Sequence, residues 1–418
     1  MTDAKWTQSD PLLSAVAGTP VRAAAKPPSS PPPRRRTYLA KVVSDTFGSL
    51  GAWLGAIFVG LVAFLAVFAP LIASSHPWAM KVDGVVTSPL LRHLTPVDVA
   101  IIVLSLLAVI LLLLRRVSAG RRWAIFLLAL VVVIPLCFWL VRPPALVVLS
   151  QYRQLQRDGQ AEWMVRTLVP YSPDDQLLDV GGSAHPVAPS TTFWMGTDAF
   201  ATDVLSRMIH GCRIAFAVGF IATGIALAIG IVVGGLMGYY SGLVDLIGMR
   251  VVEVFSAIPT FFLILSFVAF FGRNLYGIMV IIGLTGWVGY ARFLRAEFLR
   301  LRQQDFVHAA LALGLPLRSV LFRHMLPNGI APVLVETSFG VASAILFEAT
   351  LSFLGLGPEG AASWGKLLNQ ATGSAGTFHW WLATYPGVAI FLTVFAFNLI
   401  GEALRDAIDP HTRRAAHL

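Results

Sequence analysis

Charge is what this sequence has least of. Asp, Glu, Lys and Arg make up 13% of its 418 residues against a hydrophobic content of 56%, whereas soluble domains carry roughly a quarter charged residues. So little charge cannot clothe the chain in a polar surface, and a soluble globular fold is excluded. Cysteine is almost absent too. Cys137 and Cys212 both fall in or beside apolar runs, so neither a disulfide framework nor a metal-ligand spacing follows. No His-x-x-x-His pair and no Gly-x-Ser-x-Gly elbow occurs, which leaves an intramembrane hydrolase without its chemistry. The spans after 210 do not echo those before it, unlike the related halves of many secondary transporters. No signal peptide is expected, because the first apolar run begins near Leu50, beyond the usual n- and h-regions.

What is present is a series of apolar runs long enough for the roughly 20 residues that cross a bilayer core. Eight spans are expected, at about 50–73, 97–114, 122–141, 211–239, 251–272, 276–298, 331–356 and 386–404. The fold class is an all-α polytopic membrane protein. Its formal net charge of +9 gathers at the ends of apolar runs, as the positive-inside bias requires. The partner implied by that charge is membrane lipid, and nucleic acid is excluded.

Arg115-Arg-Val-Ser-Ala-Gly-Arg-Arg122 joins the second and third spans and is the clearest orientation signal. Placing it inside puts both termini in the cytoplasm of a multi-pass inner (plasma) membrane protein. Residues 1–45 are expected to be a disordered, basic, Pro-rich cytoplasmic tail around Lys26–Arg36, with too little apolar surface to offset ordering. Residues 46–75 hold the first transmembrane helix and 97–141 a helix pair. Residues 142–210 form an extracytoplasmic segment, 211–408 a core with a cytoplasmic loop at 299–330, and 409–418 a cytoplasmic tail.

That loop is the most informative stretch. From Ala291 to Leu313 the apolar positions recur at helical spacing. Gly314 suits a helix C-cap and Pro316 the first turn of a second helix, about Leu317 to Met325, ending before Pro327. Ala309 and Ala310 leave a shallow face for a soluble partner. The alternative is an amphipathic pair lying among lipid headgroups. A DNA-binding helix-turn-helix is ruled against by the spans that flank it closely.

Other residues have two readings each. Gly230, Gly234 and Gly238 recur every four residues on one helix face, where small residues let backbones approach closely. They serve packing within the chain or a seam between subunits. Glu348 lies deep in an apolar run and either lines a pathway or accepts hydrogen bonds as a polar anchor. Glu253 and Glu336 fall near cytoplasmic span ends, where solvation is easy. Gly360-Ala-Ala-Ser-Trp-Gly-Lys366-Leu367 imitates a P-loop but lacks the Ser/Thr after Lys and the preceding strand. It is not a nucleotide site.

The loop resembles the EAA signature of ABC importer permeases, with Ala309, Ala310, Gly314, Leu326 and Pro327 matching in identity and spacing. Asp305 belongs to the same segment, and His308 stands where the signature has Glu. Gly196–Arg207 and Glu348–Gly357, the latter followed by Ser363-Trp364-Gly365, resemble segments of the dipeptide/oligopeptide branch of the DppC/OppC type. There, Gly and Arg usually replace Ala201 and Thr202. The resemblance covers about 190–412 and part of the first span. It implies a type I permease core of about six helices, to which the pair at 97–141 is an addition.

The function implied is half of a translocation pathway for peptides or similar small solutes. Its partners would be a second, DppB/OppB-like permease subunit in a heterodimer, two cytoplasmic ATPase subunits and an extracytoplasmic substrate-binding protein. The chain itself would bind no cofactor and catalyse nothing, with ATP and Mg acting at the ATPase subunits. The competing function is a proton-coupled secondary transporter using Glu348.

Overall fold

The computed structural model describes residues 42, 44–114, 117–144, 147–181, 186–372 and 377–408. The tails at 1–45 and 409–418 thus fall outside the described residues, apart from Val42, Ser44 and Asp45, as do Arg115 and Arg116. Among the described residues, seven helices are long and apolar enough to span a membrane. They are α1 (Leu50–Ile72), α2 (Pro96–Leu113), α3 (Ala119–Leu140), α4 (Val204–Tyr240), α7 (Leu275–Leu301), α9 (Ala331–Phe353) and α11 (Trp380–Ile408). The expected span at 251–272 is instead a pair, α5 (Gly242–Ala257) and α6 (Thr260–Phe271), bent by 76°. Pro259 causes the break: it has no N–H to donate, and it biases Ile258 to the extended backbone seen there.

Two helices begin before the spans expected within them. Helix α4 begins at Val204 rather than 211, because Asp203 caps it by accepting from the Ser206 N–H at 2.7 Å. Its 37 residues give a rod of about 55 Å, longer than the roughly 30 Å hydrocarbon core. Helix α11 begins at Trp380 and carries Pro386 inside it, so the proline does not mark its start.

The structure is mostly helical but not purely so. Strands β1 (Ala79–Val82), β2 (Val85–Thr87) and β3 (Ala161–Val165) form an antiparallel sheet in the order β2-β1-β3. Asp83 and Gly84, at φ 50° and 77°, make the two-residue turn between β1 and β2. The carboxylate of Glu162 accepts from Lys81 Nζ at 2.6 Å and from the Gly84 N–H at 3.0 Å. Because β1 precedes the α2–α3 pair and β3 follows it, the sheet brings together the chain entering and leaving that pair.

The glycine stripe settles into the heart of the core. A Cβ on Gly230 would collide with Tyr290, one on Gly234 with the Ala291 backbone, and one on Gly238 would stand 2.5 Å from the Cβ of Phe298. All three glycines thus face α7 of the same chain. The α2–α3 pair is held more loosely, with Cys137 the one buried residue of α3 among those described. Its anchor is Asp98, which caps α2 with Thr95 and pairs with Arg213 of α4. Arg213 Nε also donates to the Ala66 carbonyl of α1 at 2.7 Å.

Beside the sheet, the His76 ring stacks on His93 with centroids 4.0 Å apart, and Tyr152 meets it edge-on. Burial, then the neighbouring His93, lowers the His76 pKa to about 4, against a weaker upward pull from Asp175. The folded value lies below the ordinary 6.5, so the neutral ring's stabilising contribution is complete above pH 6.5. It is lost as the pH falls towards 4. Hydrogen exchange of the β1 and β3 peptides should therefore accelerate between pH 6.5 and 4 after correction for intrinsic rates. His76→Phe should flatten that dependence, and an unchanged pH profile in the variant would refute the assignment.

Candidate functional site

Helix α7 ends at Leu301, and α8 (Asp305–Ala312) starts after a three-residue step. Asp305 stands in the first turn of α8, where a carboxylate complements the helix dipole. Gly314 adopts φ 68°. Its N–H donates to the Leu311 carbonyl at 2.9 Å and the Leu315 N–H donates to Ala310 at 3.2 Å. These are the two bonds of a Schellman C-cap, whose left-handed position favours glycine.

Beyond the turn the structure departs from expectation. Leu317–Ser319 is one helical turn, Val320–Met325 widens into a π-helical stretch, and Leu326–Gly329 continues through Pro327. The segment does not stop before the proline. Pro327 has no N–H to give to the carbonyl one α-turn back, and the winding before it is widened to the π type.

The outward face also differs. Ala310 is buried, together with Val307, Val320 and Met325, so it packs the segment onto the chain's own core. Asp305, His308, Ala309, Gly314 and Pro327 are exposed, and Leu326 is half-buried. Beside them stand large apolar groups that periodicity alone did not single out: Leu313 is 78% exposed and Phe322 57%. Phe322 lines a surface cleft with Arg318, Arg323 and Pro327. The signal available in the sequence was an aromatic residue amid arginines outside any span.

At the opposite ends of the same helices, the two remaining motifs fold into one knot. Asp198 is fully buried and accepts from the Phe200 and Thr202 N–H groups, each at 2.9 Å, and from Arg207 at 2.8 Å. Trp381 Nε1 donates to the Thr197 carbonyl at 3.1 Å and Trp364 Nε1 to that of Met208 at 2.9 Å. Trp364 lies over Gly211, where a Cβ would come within 2.5 Å of its ring. Ala201 adopts φ 59° in this knot, which explains why glycine suits the position.

Glu348 is buried at 3% exposure. Its Oε1 accepts from the Ser352 hydroxyl at 2.6 Å and the Ser363 hydroxyl at 2.8 Å. Ser363 caps α10 (Trp364–Ala371) by accepting from the Gly365 N–H at 3.1 Å. This is the geometry of a polar anchor between α9 and α10. Glu253, by contrast, is exposed and pairs with Arg250.

Glu336 is not at an easily solvated end. It is half-buried and lines a cavity of about 180 Å³ between helices, with Thr223, Thr260, Thr285, Tyr290 and Ser343. These side chains come from α4, α6, α7 and α9, and Thr260 opens the half-helix after the Pro259 break. The hydroxyls of Thr223 and Tyr290 are buried without a protein partner. Gly340 makes room for the latter, since a Cβ there would clash with the Tyr290 hydroxyl.

A multi-pass helical bundle with a polar chamber between its spans, and an ordered extramembrane segment at one end, belongs to the membrane transport class. The profile of the family described as "Binding-protein-dependent transport system inner membrane component" matches residues 230–414. The oligopeptide transport system permease protein OppC of Haemophilus influenzae is 40% identical over 232 residues, 55% of this chain and 74% of that one. The dipeptide transport system permease protein DppC of Bacillus subtilis is 37% identical over 227 residues, 54% and 71% of the two chains. The chain belongs to this family of peptide-type ABC permeases and is an inner-membrane protein. A solved inward-facing methionine ABC transporter covers 49% of this chain and 97% of its own at 16% identity and a TM-score of 0.40, too slight a likeness to build on.

Two outcomes follow from the geometry. Ala201→Gly should stay within about 1 kcal/mol of the parent, since relief of a left-handed backbone worth roughly 1–2 kcal/mol offsets a lost buried methyl of about 0.8 kcal/mol. Ala201→Val should lower the melting temperature of the purified protein by several degrees. Glu348→Gln keeps the accepting oxygen and should melt near the parent. Glu348→Leu strands two hydroxyls at about 1–3 kcal/mol each and should melt well below it. Normal stability with abolished transport in Glu348→Gln would instead assign the carboxylate to the pathway.

Proposed function

We propose that this chain forms half of the translocation pathway of an ATP-driven peptide importer and receives the ATPase stroke through residues 305–329. The observation that carries the reading is the exposed apolar and basic face of that segment. Leu313 and Phe322 stand beside Arg318 and Arg323 outside the spanning helices. An aromatic anchor with an arginine rim is what protein interfaces concentrate. The partners on this reading are a second permease subunit, two cytoplasmic ATPase subunits and an extracytoplasmic substrate-binding protein, with ATP and Mg held by the ATPases. Both termini then lie in the cytoplasm.

The mechanism needs no covalent chemistry from this chain. ATP-driven closure of the ATPases moves the docked segment, and the segment is welded to the core through buried Val307, Ala310, Val320 and Met325. A bias of a few kcal/mol between two arrangements of the bundle suffices for alternating access. The polar chamber at Glu336, lined by unpaired hydroxyls, supplies the hydrated surface that a solute passes. A proton-coupled carrier relying on Glu348 is disfavoured, because that carboxylate is engaged by two serines.

The test separates docking from folding. Phe322→Ala and Ala309→Glu alter exposed positions. They should reduce co-purifying ATPase and depress peptide uptake at least tenfold, since loss of an interface hot spot costs about 2 kcal/mol or more. Their melting temperatures should match the parent. Ala310→Glu buries a charge and should destabilise the chain itself. Unchanged ATPase recovery and uptake in the two surface variants would remove the coupling assignment.

A further inference from the structure

The P-loop-like segment turns out to border a charged cavity. At the end of the bundle opposite the 305–329 segment, α4 and α7 begin and α9 ends. There a cavity of about 740 Å³ is lined by Arg207, Arg273, Lys366, Asp174, Glu359 and Gln370, among others. The volume lies within the roughly 300–1,000 Å³ of small-molecule sites, larger than a lone ion requires.

Its charges are unevenly matched. Arg273 is engaged by Glu359 at 2.5 Å and donates to the Gly355 carbonyl at 3.0 Å. Arg207 pairs with Asp198 at 2.8 Å, but its Nε is buried without a partner in a residue only 8% exposed. The buried Oε1 of Gln370 is likewise unpartnered. Lys366, half-buried in the first turn of α10, makes no hydrogen bond or ion pair among the described residues. Its pKa is lowered, first by burial and next by Arg207, with Arg273 adding to the effect while Glu348 and Asp174 oppose it. Both guanidinium groups already have a carboxylate partner, so Lys366 is the lining cation left to take up a bond from a bound anion.

We propose that this vestibule binds the terminal carboxylate of a short peptide, with Lys366 as the recognising charge. Exposed Asp174 on the same wall supplies a charge of opposite sign, which suits a zwitterion better than a simple anion. The site would receive solute before it enters the bundle. The proposal rests on the importer reading for its biology, but its binding chemistry is testable separately.

The experiment is protection of Lys366 from amine acetylation in the complete transporter complex in lipid nanodiscs, read by peptide mass spectrometry. Dialanine, with a free carboxylate, should slow acetylation of Lys366 severalfold. Dialanine amide at the same concentration should not, and Lys81, paired with Glu162 on the sheet, should react equally in every arm. Uptake by the same complex gives the second readout. Lys366→Gln should raise the KM for dialanine severalfold more than it lowers kcat, with Lys366→Arg recovering most of the loss.

Equal acetylation with dialanine and its amide would overturn the proposal. So would a Lys366 unreactive in the complex but reactive in the isolated chain, because a neighbouring subunit would then already pair the ammonium. Protection without ATP-driven uptake by the wild type would instead leave the site standing and remove the importer reading.

Discussion

The close approach of α4 and α7 fixes the rest of the core. In a bilayer no hydrophobic force draws one helix to another, so contact depends on packing at short range. Gly230, Gly234 and Gly238 allow it, since any side chain there would meet the backbone or Cβ atoms of residues 290–298. Asp245 accepts from Nε and Nη2 of Arg295, and Arg302 donates to the Tyr239 carbonyl at 3.3 Å. These contacts extend the seam to the end of α7, three residues before α8 begins. A displacement imposed on α8 therefore acts on the α4–α7 unit as a whole.

The other end of that unit is stiffened by a different means. Polar groups removed from water need protein partners, and the Asp198 knot supplies them within a few residues while the two tryptophan N–H groups tie in α10 and α11. The Trp364 bond to Met208 joins positions 156 residues apart. Glu348 and Ser363 then close the circuit from α9 to α10. The glycine stretch of the seam is apolar and the knot polar, yet both join helices by contacts that tolerate almost no added atom.

The legibility of this chain follows the range of the physics involved. The apolar runs were readable because about 20 residues of hydrocarbon must cross the bilayer whatever their neighbours, and Gly314 was readable because a Schellman cap is a local event. The Asp83-Gly84 hairpin was equally local, an Asp-Gly turn between β-branched residues, but the short strands were overshadowed by the spans around them. Helix α4 began early because Asp203 is a cap, a signal hidden by reading hydropathy alone. The inward turn of Ala310, the outward Phe322, the Asp98–Arg213 pair and the burial of Glu336 all depend on partners distant in sequence. Periodicity could place Ala310 on a helix but not say which side met the core.

Some of the buried polar atoms without protein partners belong to residues that line cavities, and this bears on how the molecule moves. Where helices must stay together, at Asp198, Glu348 and Asp98, the carboxylates are engaged by donors from the chain itself. The Thr223 and Tyr290 hydroxyls and the Arg207 Nε are left without protein partners, and these groups border cavities. A buried donor with no fixed partner costs stability, but it can exchange water or solute for the same bond without breaking protein structure. The 180 Å³ chamber also lies beside the break at Pro259, the one expected span whose helix is interrupted. Stiff seams with an adaptable polar lining between them give a bundle whose parts can shift as rigid bodies while the lining is resolvated.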